Sequence, residues 1–343
     1  MIPDQVKSFL EQCGLDMRST KITPWDKDGF SISTIYQISD SNRGSLFCLR
    51  NWGDNAIAAT RLNWIHERLK DLEQFSFIPN VQKTSHGESY VQKNEQLWEL
   101  TTWVPGTASF NLAPNSFRLK NIIEAINALH ETWAKVESDH GRSPAIAERV
   151  EILEQLQPRL KAAIPSTETL QRVFRNIDFG VTQHLASKLS FQLLAESQTL
   201  HWNDMSRRLQ PVVKDLRHEH ILFTGDYVTG IVDFGAMAID CVECDWARLL
   251  GSLRFGNISV WQLARELIQK NSLPIPIDWN LVKWLHRSST LIAWTNWLEW
   301  MSDSSSGYAQ LPHAWERFSW TTAQLLGCEN GDDNSEPGQI ILP

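Results

Sequence analysis

Three side chains able to work on a phosphate or a metal ion, Asp215, His220 and Asp233, fall within one short stretch, and a further carboxylate follows at Asp245. The runs 220–224 and 227–233 are apolar and β-branched, and the Gly225-Asp226 dipeptide between them supplies the positive φ of a two-residue hairpin turn. The two runs are therefore expected to pair antiparallel. With Thr224 opposite Tyr227, His220 faces Ile231 and His218 faces Asp233. His220 and Asp233 then become diagonal neighbours on one face, roughly 7 to 8 Å apart between backbones, a gap that one divalent ion can bridge. Asp215 lies on the loop entering the hairpin, where its carboxylate reaches the same mouth without ligating the ion.

Phosphoryl transfer calls for such a layout, because the migrating group is highly anionic and the protein mainly positions it and neutralises charge. One carboxylate orients the incoming hydroxyl and takes its proton; the other holds Mg²⁺ against nucleotide phosphates. Lys214 and Arg217 flank the base and are candidates to neutralise a γ-phosphate or an acidic substrate, in a basic cluster where an anion collects. Protein kinases have four residues between their catalytic Asp and a metal-binding Asn, with Asp-Phe-Gly further on. Here the series is Asp215, His220, then Asp233-Phe234-Gly235. Since Mg²⁺ takes oxygen ligands and imidazole suits softer ions, His220 implies either a drift toward Mn²⁺ or a contact to phosphate. The alternative is a catalytically inactive, pseudokinase-like module that binds nucleotide or metabolite.

The elements that must position these residues are legible in outline. A short amphipathic helix over 4–14 precedes a hairpin with strands at 31–38 and 45–50. A helix over 57–73 carries Leu62, Ile65, Leu69 and Leu72 on one stripe, and strands at 88–93 and 96–103 end at Val104-Pro105-Gly106, where Pro-Gly breaks the strand. Beyond it the chain turns helical. The segment 116–135 places Leu119, Ile122, Ile123, Ile126, Leu129 and Trp133 on a buried face, with His130 near its end. Further helices fit 148–163, 168–197, 259–270, 281–301 and 313–326, and the Asp-, Asn-, Gly- and Pro-rich 329–343 reads as a flexible tail.

The block from Val213 to Gly235 resembles the aminoglycoside phosphotransferase family of small-molecule kinases, relatives of choline and homoserine kinases. Their loop typically runs His-Gly-Asp-Leu-His-Pro-Gly-Asn-Ile-Leu, followed by a hairpin and Ile-Asp-Phe-Gly. The resemblance implies an α+β, two-lobed protein-kinase-like fold: a small antiparallel-sheet N-lobe over 1–104 and a larger, mainly helical C-lobe over 105–328. It makes Asp215 the catalytic base, Asp233 the metal ligand, His220 the stand-in for the metal-binding Asn, and Asp245-Trp246-Ala247 the motif whose Asp braces the loop. It assigns Gly29 and Ser31 to the turn over the nucleotide phosphates and Arg50 to the basic strand position that reaches them. Glu67 becomes the helix carboxylate that pairs with that cation, and the backbone near Thr102 to Val104 the hinge that meets the nucleobase. ATP or GTP, with Mg²⁺ or Mn²⁺, and a small hydroxyl acceptor are the implied ligands. Aminoglycosides, amino alcohols, sugars and homoserine-like molecules all remain open. The off-stripe Trp297 and Trp300 are candidates for the acceptor pocket.

Composition narrows the rest. At 343 residues with 42% hydrophobic content the chain is long enough for two lobes, and a net charge of −8 gives no footprint for nucleic acid or an anionic membrane. The start, Met1-Ile2-Pro3-Asp4, lacks a basic signal-like opening and no stretch approaches a membrane span, so a cytoplasmic location is expected. Five cysteines make no disulfide framework at this length. Cys241 and Cys244 have zinc or redox spacing, but nothing nearby completes a tetrahedral site, so buried reduced thiols are expected.

Overall fold

The computed structural model describes residues 2–25, 33–41, 44–54, 57–163, 165–175, 178–255, 259–271, 275–303 and 312–328. Gly29, Ser31 and the 329–343 segment lie outside the described residues. The first part comprises α1 (Asp4–Gln12), β1 (Thr20–Trp25), β2 (Thr34–Asp40), β3 (Ser45–Asp54), α2 (Ala59–Lys70), β4 (Tyr90–Lys93) and β5 (Gln96–Thr102). Its five strands form one antiparallel sheet in the order β1-β2-β3-β5-β4. The second part runs through α3 (Ser116–Val136), β6 (Asp139–Gly141), α4 (Pro144–Glu154), α5 (Leu156–Ala162), α6 (Thr167–Val173), α7 (Phe179–Thr199) and β7 (Arg207–Val212). It continues with β8 (Ile221–Thr224), β9 (Tyr227–Ile231), β10 (Ala238–Asp240), α8 (Glu243–Leu250), α9 (Val260–Asn271), α10 (Trp279–Ser302) and α11 (Pro312–Gly327). This is the α+β, protein-kinase-like arrangement of a small sheet beside a helical lobe.

Two hydrophobic cores hold it. In the smaller one, Val6, Phe9 and Leu10 of α1 pack on Ile38, Phe47, Leu49, Trp98 and Leu100 of the sheet. The larger one gathers the helices around α3, whose Leu119, Ile122, Ile123, Ile126, Leu129 and Trp133 are all buried, each burial contributing about 1.5–3 kcal/mol against exposure. Ile65 and Leu69 of α2 belong to this larger core, so the helix beside the sheet is anchored in the helical part.

Several elements depart from the sequence expectation. Strand β1 was not anticipated: its Thr-Lys-Ile-Thr-Pro-Trp sequence is mostly exposed and carries Pro24, which an edge strand tolerates. The helix expected over 148–163 is two helices meeting at Gln155, and that expected over 168–197 is α6 and α7. The short strands β6, β7 and β10 form a separate three-stranded sheet, too brief to leave a period-two pattern.

The β8–β9 hairpin is pinned to the segment after β5. Thr107 and Phe223 exchange backbone hydrogen bonds of 3.0 and 2.9 Å, and the Thr229 hydroxyl donates to the Pro105 carbonyl at 2.9 Å. Gly106 sits at φ 113°, and a Cβ there would meet Thr229 Oγ1 at 2.5 Å and Phe223 O at 2.9 Å, so only glycine fits.

Candidate functional site

The loop before β8 takes its shape from one buried carboxylate. Asp245, with 0% of its surface exposed, accepts from the backbone N–H of Lys214 at 2.7 Å and of Val213 at 3.0 Å, and its second oxygen also meets His130 Nε2 at 2.9 Å. His130 thus has a specific partner on α8, and its carbonyl accepts from Gln210 of β7 at 2.8 Å. Lys214 is held at φ 66°, a left-handed conformation in which the family loop has glycine. The bonds to Asp245 hold a lysine in it. Asp245→Asn puts an amide N–H₂ where N–H donors must be accepted, and is expected to destabilise the fold by about 3 kcal/mol in urea titration. A cost near zero would mean the loop holds itself.

Asp215 projects from this loop. Its carboxylate receives the Arg248 Nε at 2.7 Å, lies 3.5 Å from Arg217 Nε, and is about a third exposed. Arg248 belongs to α8, an element unanticipated in the sequence reading, although its place directly after Asp245-Trp246-Ala247 was visible there. Arg217 also reaches Glu219 at 3.2 Å, and Lys214 Nζ lies 3.6 Å from Glu148 on α4.

His220 joins the two ends of the site. Its Nδ1 is 2.8 Å from the Asp215 carbonyl and its Nε2 is 3.6 Å from Asp233 Oδ2. A carbonyl only accepts, so Nδ1 carries the hydrogen. Burial lowers the His220 pKa against the pull of Asp233, which favours the neutral ring with its Nε2 lone pair facing a carboxylate oxygen. Two electron-pair donors facing across 3.6 Å suit a shared cation better than a hydrogen bond. The hairpin keeps Thr224 opposite Tyr227, but a bulge at Thr229 shifts the register, so Ile231 pairs with Ile221. Val232 N–H donates to the His220 carbonyl at 2.9 Å, and His218–His220 is a 3₁₀ turn rather than strand. His220 is consequently nearer to Asp233 than a regular hairpin would bring it.

Asp233 itself adopts φ 68°, ψ 63°, uncommon for a residue with a side chain and frequent at functional sites. Its other carboxylate oxygen takes Arg50 Nη1 at 3.1 Å from strand β3. The Arg50 guanidinium lies 4.6 Å from the centre of the Trp52 ring, and Trp52 in turn covers Gly235, where a Cβ would come within 2.7 Å of the indole. Arg61 on α2 donates to the carbonyls of Gly235 and Met237 at 3.3 and 2.9 Å.

The helix carboxylate expected at Glu67 is not there. Glu67 points outward to Lys83, at 3.3 Å. The Arg50 side chain instead has Glu99 of β5 at 3.9 Å, and Glu99 is held by His66, one residue earlier on α2, at 2.6 Å, with Ser89 on the other ring nitrogen at 2.7 Å. One residue along a helix rotates the side chain by about 100°, enough to exchange core for solvent. Burial works against the Arg50 charge, but Asp233 and Glu99 outweigh it and raise its pKa.

At the segment expected to be the hinge, Thr102 N–H donates to the Asn80 carbonyl at 2.9 Å and Trp103 N–H to the Leu46 carbonyl at 3.0 Å, while Val104 is buried. Trp297 and Trp300 meet each other edge to face at 5.1 Å on α10. The Cys241 and Cys244 thiols are buried and 3.9 Å apart beside Asp240. The Asp240 carboxylate is already occupied by Ser143 and by the N–H groups of Ala145 and Cys241. Among the described residues no helix is long and apolar enough to cross a membrane.

A sheet and a helical lobe meeting at an Asp-bearing loop and an Asp-Phe-Gly turn define a kinase-like phosphotransferase. Residues 28–281 match the model of the phosphotransferase enzyme family, about three quarters of the chain, and the chain belongs to that family. Among solved structures it is similar to a spectinomycin phosphotransferase complexed with ADP and spectinomycin, at 10% identity and a TM-score of 0.60, over 96% of this chain and 99% of that one. An aminoglycoside phosphotransferase from Alicyclobacillus acidocaldarius shares 16% identity over 94% and 96% of the two chains, with a TM-score of 0.58. A choline kinase from Cryptosporidium parvum shares 10% identity over 96% of each chain, with a TM-score of 0.56. No curated protein sequence matches the chain.

Proposed function

We propose that this chain transfers the γ-phosphoryl group of ATP or GTP to a hydroxyl of a small molecule. The observation that carries the reading is His220, which touches the Asp215 carbonyl with one nitrogen and faces the Asp233 carboxylate with the other. A base and a cation site are thereby held in fixed relation. Asp215 orients the acceptor hydroxyl and takes its proton as the oxygen attacks the γ-phosphorus; the bond to the bridging oxygen breaks and its electron pair leaves with the nucleoside diphosphate. Asp233 and His220 would hold Mg²⁺ or Mn²⁺, which would offset the charge of the phosphates. Arg50 contributes a permanent cation beside Asp233, and Arg217 one beside Asp215. With the Thr102 N–H engaged by Asn80, the base edge falls to the backbone at Val104. The related spectinomycin phosphotransferase, solved with ADP, supports nucleotide as the donor.

One observation favours a second reading, an inactive nucleotide-binding module: Arg50 already pairs with Asp233 at 3.1 Å and so offsets the charge that a metal would. Calorimetry separates the two. ATP affinity is expected to rise by at least about tenfold when Mg²⁺ or Mn²⁺ replaces a chelator, about 1.4 kcal/mol, and Asp233→Asn to remove that gain. Equal binding with and without metal sinks the kinase reading and leaves the module.

A further inference from the structure

We propose that the acceptor carries an anionic group, a carboxylate or a phosphate, in addition to the hydroxyl that is phosphorylated; this rests on the phosphotransfer reading above. Around Asp215 and the nearby Glu219, arginines converge from separate segments. Arg248 of α8 and Arg217 of the loop border Asp215 at 2.7 and 3.5 Å. Arg317 of α11 pairs with Glu219, and Arg254, just beyond α8, lies over the Trp320 ring of α11 at 5.9 Å. His218, on the loop between Arg217 and Glu219, donates its backbone N–H to the Ser252 hydroxyl at 2.8 Å, which ties this stretch to the segment that ends in Arg254.

Four guanidiniums thus stand over two carboxylates, Asp215 and Glu219, in a chain whose net charge is −8. Giving Arg217 to the transferring phosphate still leaves three arginines against those two acids. The side chains of Arg248 and Arg317 are 40% and 34% exposed, so both guanidiniums remain open to solvent while they pair with Asp215 and Glu219. An excess of positive charge there attracts an anion and repels a polyamine, the more so because Arg forks match carboxylate and phosphate geometry. An acceptor seated with its hydroxyl on Asp215 would direct its acid group toward Arg248 and Arg317.

The test uses the full chain with saturating metal–ATP and four acceptors on one carbon skeleton: glycerol, 3-amino-1,2-propanediol, glycerate and glycerol 1-phosphate. Nucleoside diphosphate release is expected to be at least about tenfold more efficient with an acid than with glycerol, and lowest with the amine. Which acid leads distinguishes carboxylate from phosphate. Arg317→Gln is expected to raise KM for the acids by about tenfold, and Arg317→Glu to reverse the order in favour of the amine. Arg254→Gln repeats the measurement without touching the Glu219 pair, and metal–ADP binding by each variant verifies folding. In parallel, thermal shifts of the ADP-loaded chain are read with the same compounds, so that binding is scored even where turnover is slow. An amine or neutral compound equal to or better than the acids in both readouts overturns the proposal, as does an acid preference unchanged by the arginine variants. If metal–nucleotide binding itself is missing, the phosphotransfer reading has failed, and acid-over-amine binding to the nucleotide-free chain still decides the arginine ring.

Discussion

Asp215→Asn is expected to lower turnover by about 10²- to 10⁴-fold while metal–nucleotide affinity stays at the wild-type level. The reasoning starts from what holds the side chain. Arg248 and Arg217 fix the carboxylate from one side, and its backbone carbonyl is tied to His220, so the residue is oriented without help from substrate. Asn keeps the size and much of the hydrogen bonding but cannot take a proton. Because the phosphoryl transition state is loose, most of the loss should come from a misdirected hydroxyl and from the missing proton acceptor, and little from phosphate binding. Steady-state kinetics paired with nucleotide calorimetry reads both quantities. Full activity in Asp215→Asn removes it as the base; joint loss of affinity and turnover recasts it as a structural residue of the loop.

The second large effect concerns metal choice. His220→Asn restores the oxygen donor that the family loop has at this place and should move the ratio of activity in Mg²⁺ to activity in Mn²⁺ by about 10- to 100-fold toward Mg²⁺. An imidazole nitrogen discriminates against Mg²⁺, while an amide oxygen does not. Asn also retains an N–H₂ able to meet the Asp215 carbonyl, so the substitution changes the donor more than it changes the loop. Metal titrations at fixed ATP give the ratio directly. If the ratio does not move, His220 is no ligand, and its 3.6 Å approach to Asp233 is an electrostatic contact alone.

The sequence was informative where chemistry and local geometry coincide. Gly225-Asp226 marked the hairpin, Asp-Phe-Gly marked the turn, and Gly225 does carry the positive φ, at 61°. What eluded it was decided at long range. The bulge at Thr229 goes with a hydroxyl bonded to Pro105, 124 residues away, and no local pattern announces that contact. Glu67 was the natural partner for Arg50 by type, yet the stripe Leu62, Ile65, Leu69 turns His66 inward and Glu67 out. The resulting His66–Glu99–Arg50 chain links a helix and two strands, a relation invisible until the sheet order is known. Arg248 was missed because α8 is only eight residues long, and its Glu243 and Asp245, acids of the kind that ordinarily mark a solvated face, both lie inside.

Asp245 also bears on how the protein is made. Its partners lie 115 and 32 residues away along the chain, so the shape of the loop that bears Asp215 depends on α8 being docked against α3. Contacts this distant in sequence form late, after local helices have condensed. A nascent chain that stops before α8 would carry Asp215 and Asp233 in full yet leave Lys214 free to abandon its left-handed turn. A chain without α8 therefore contains both acids yet lacks the carboxylate that accepts from the Val213 and Lys214 N–H groups.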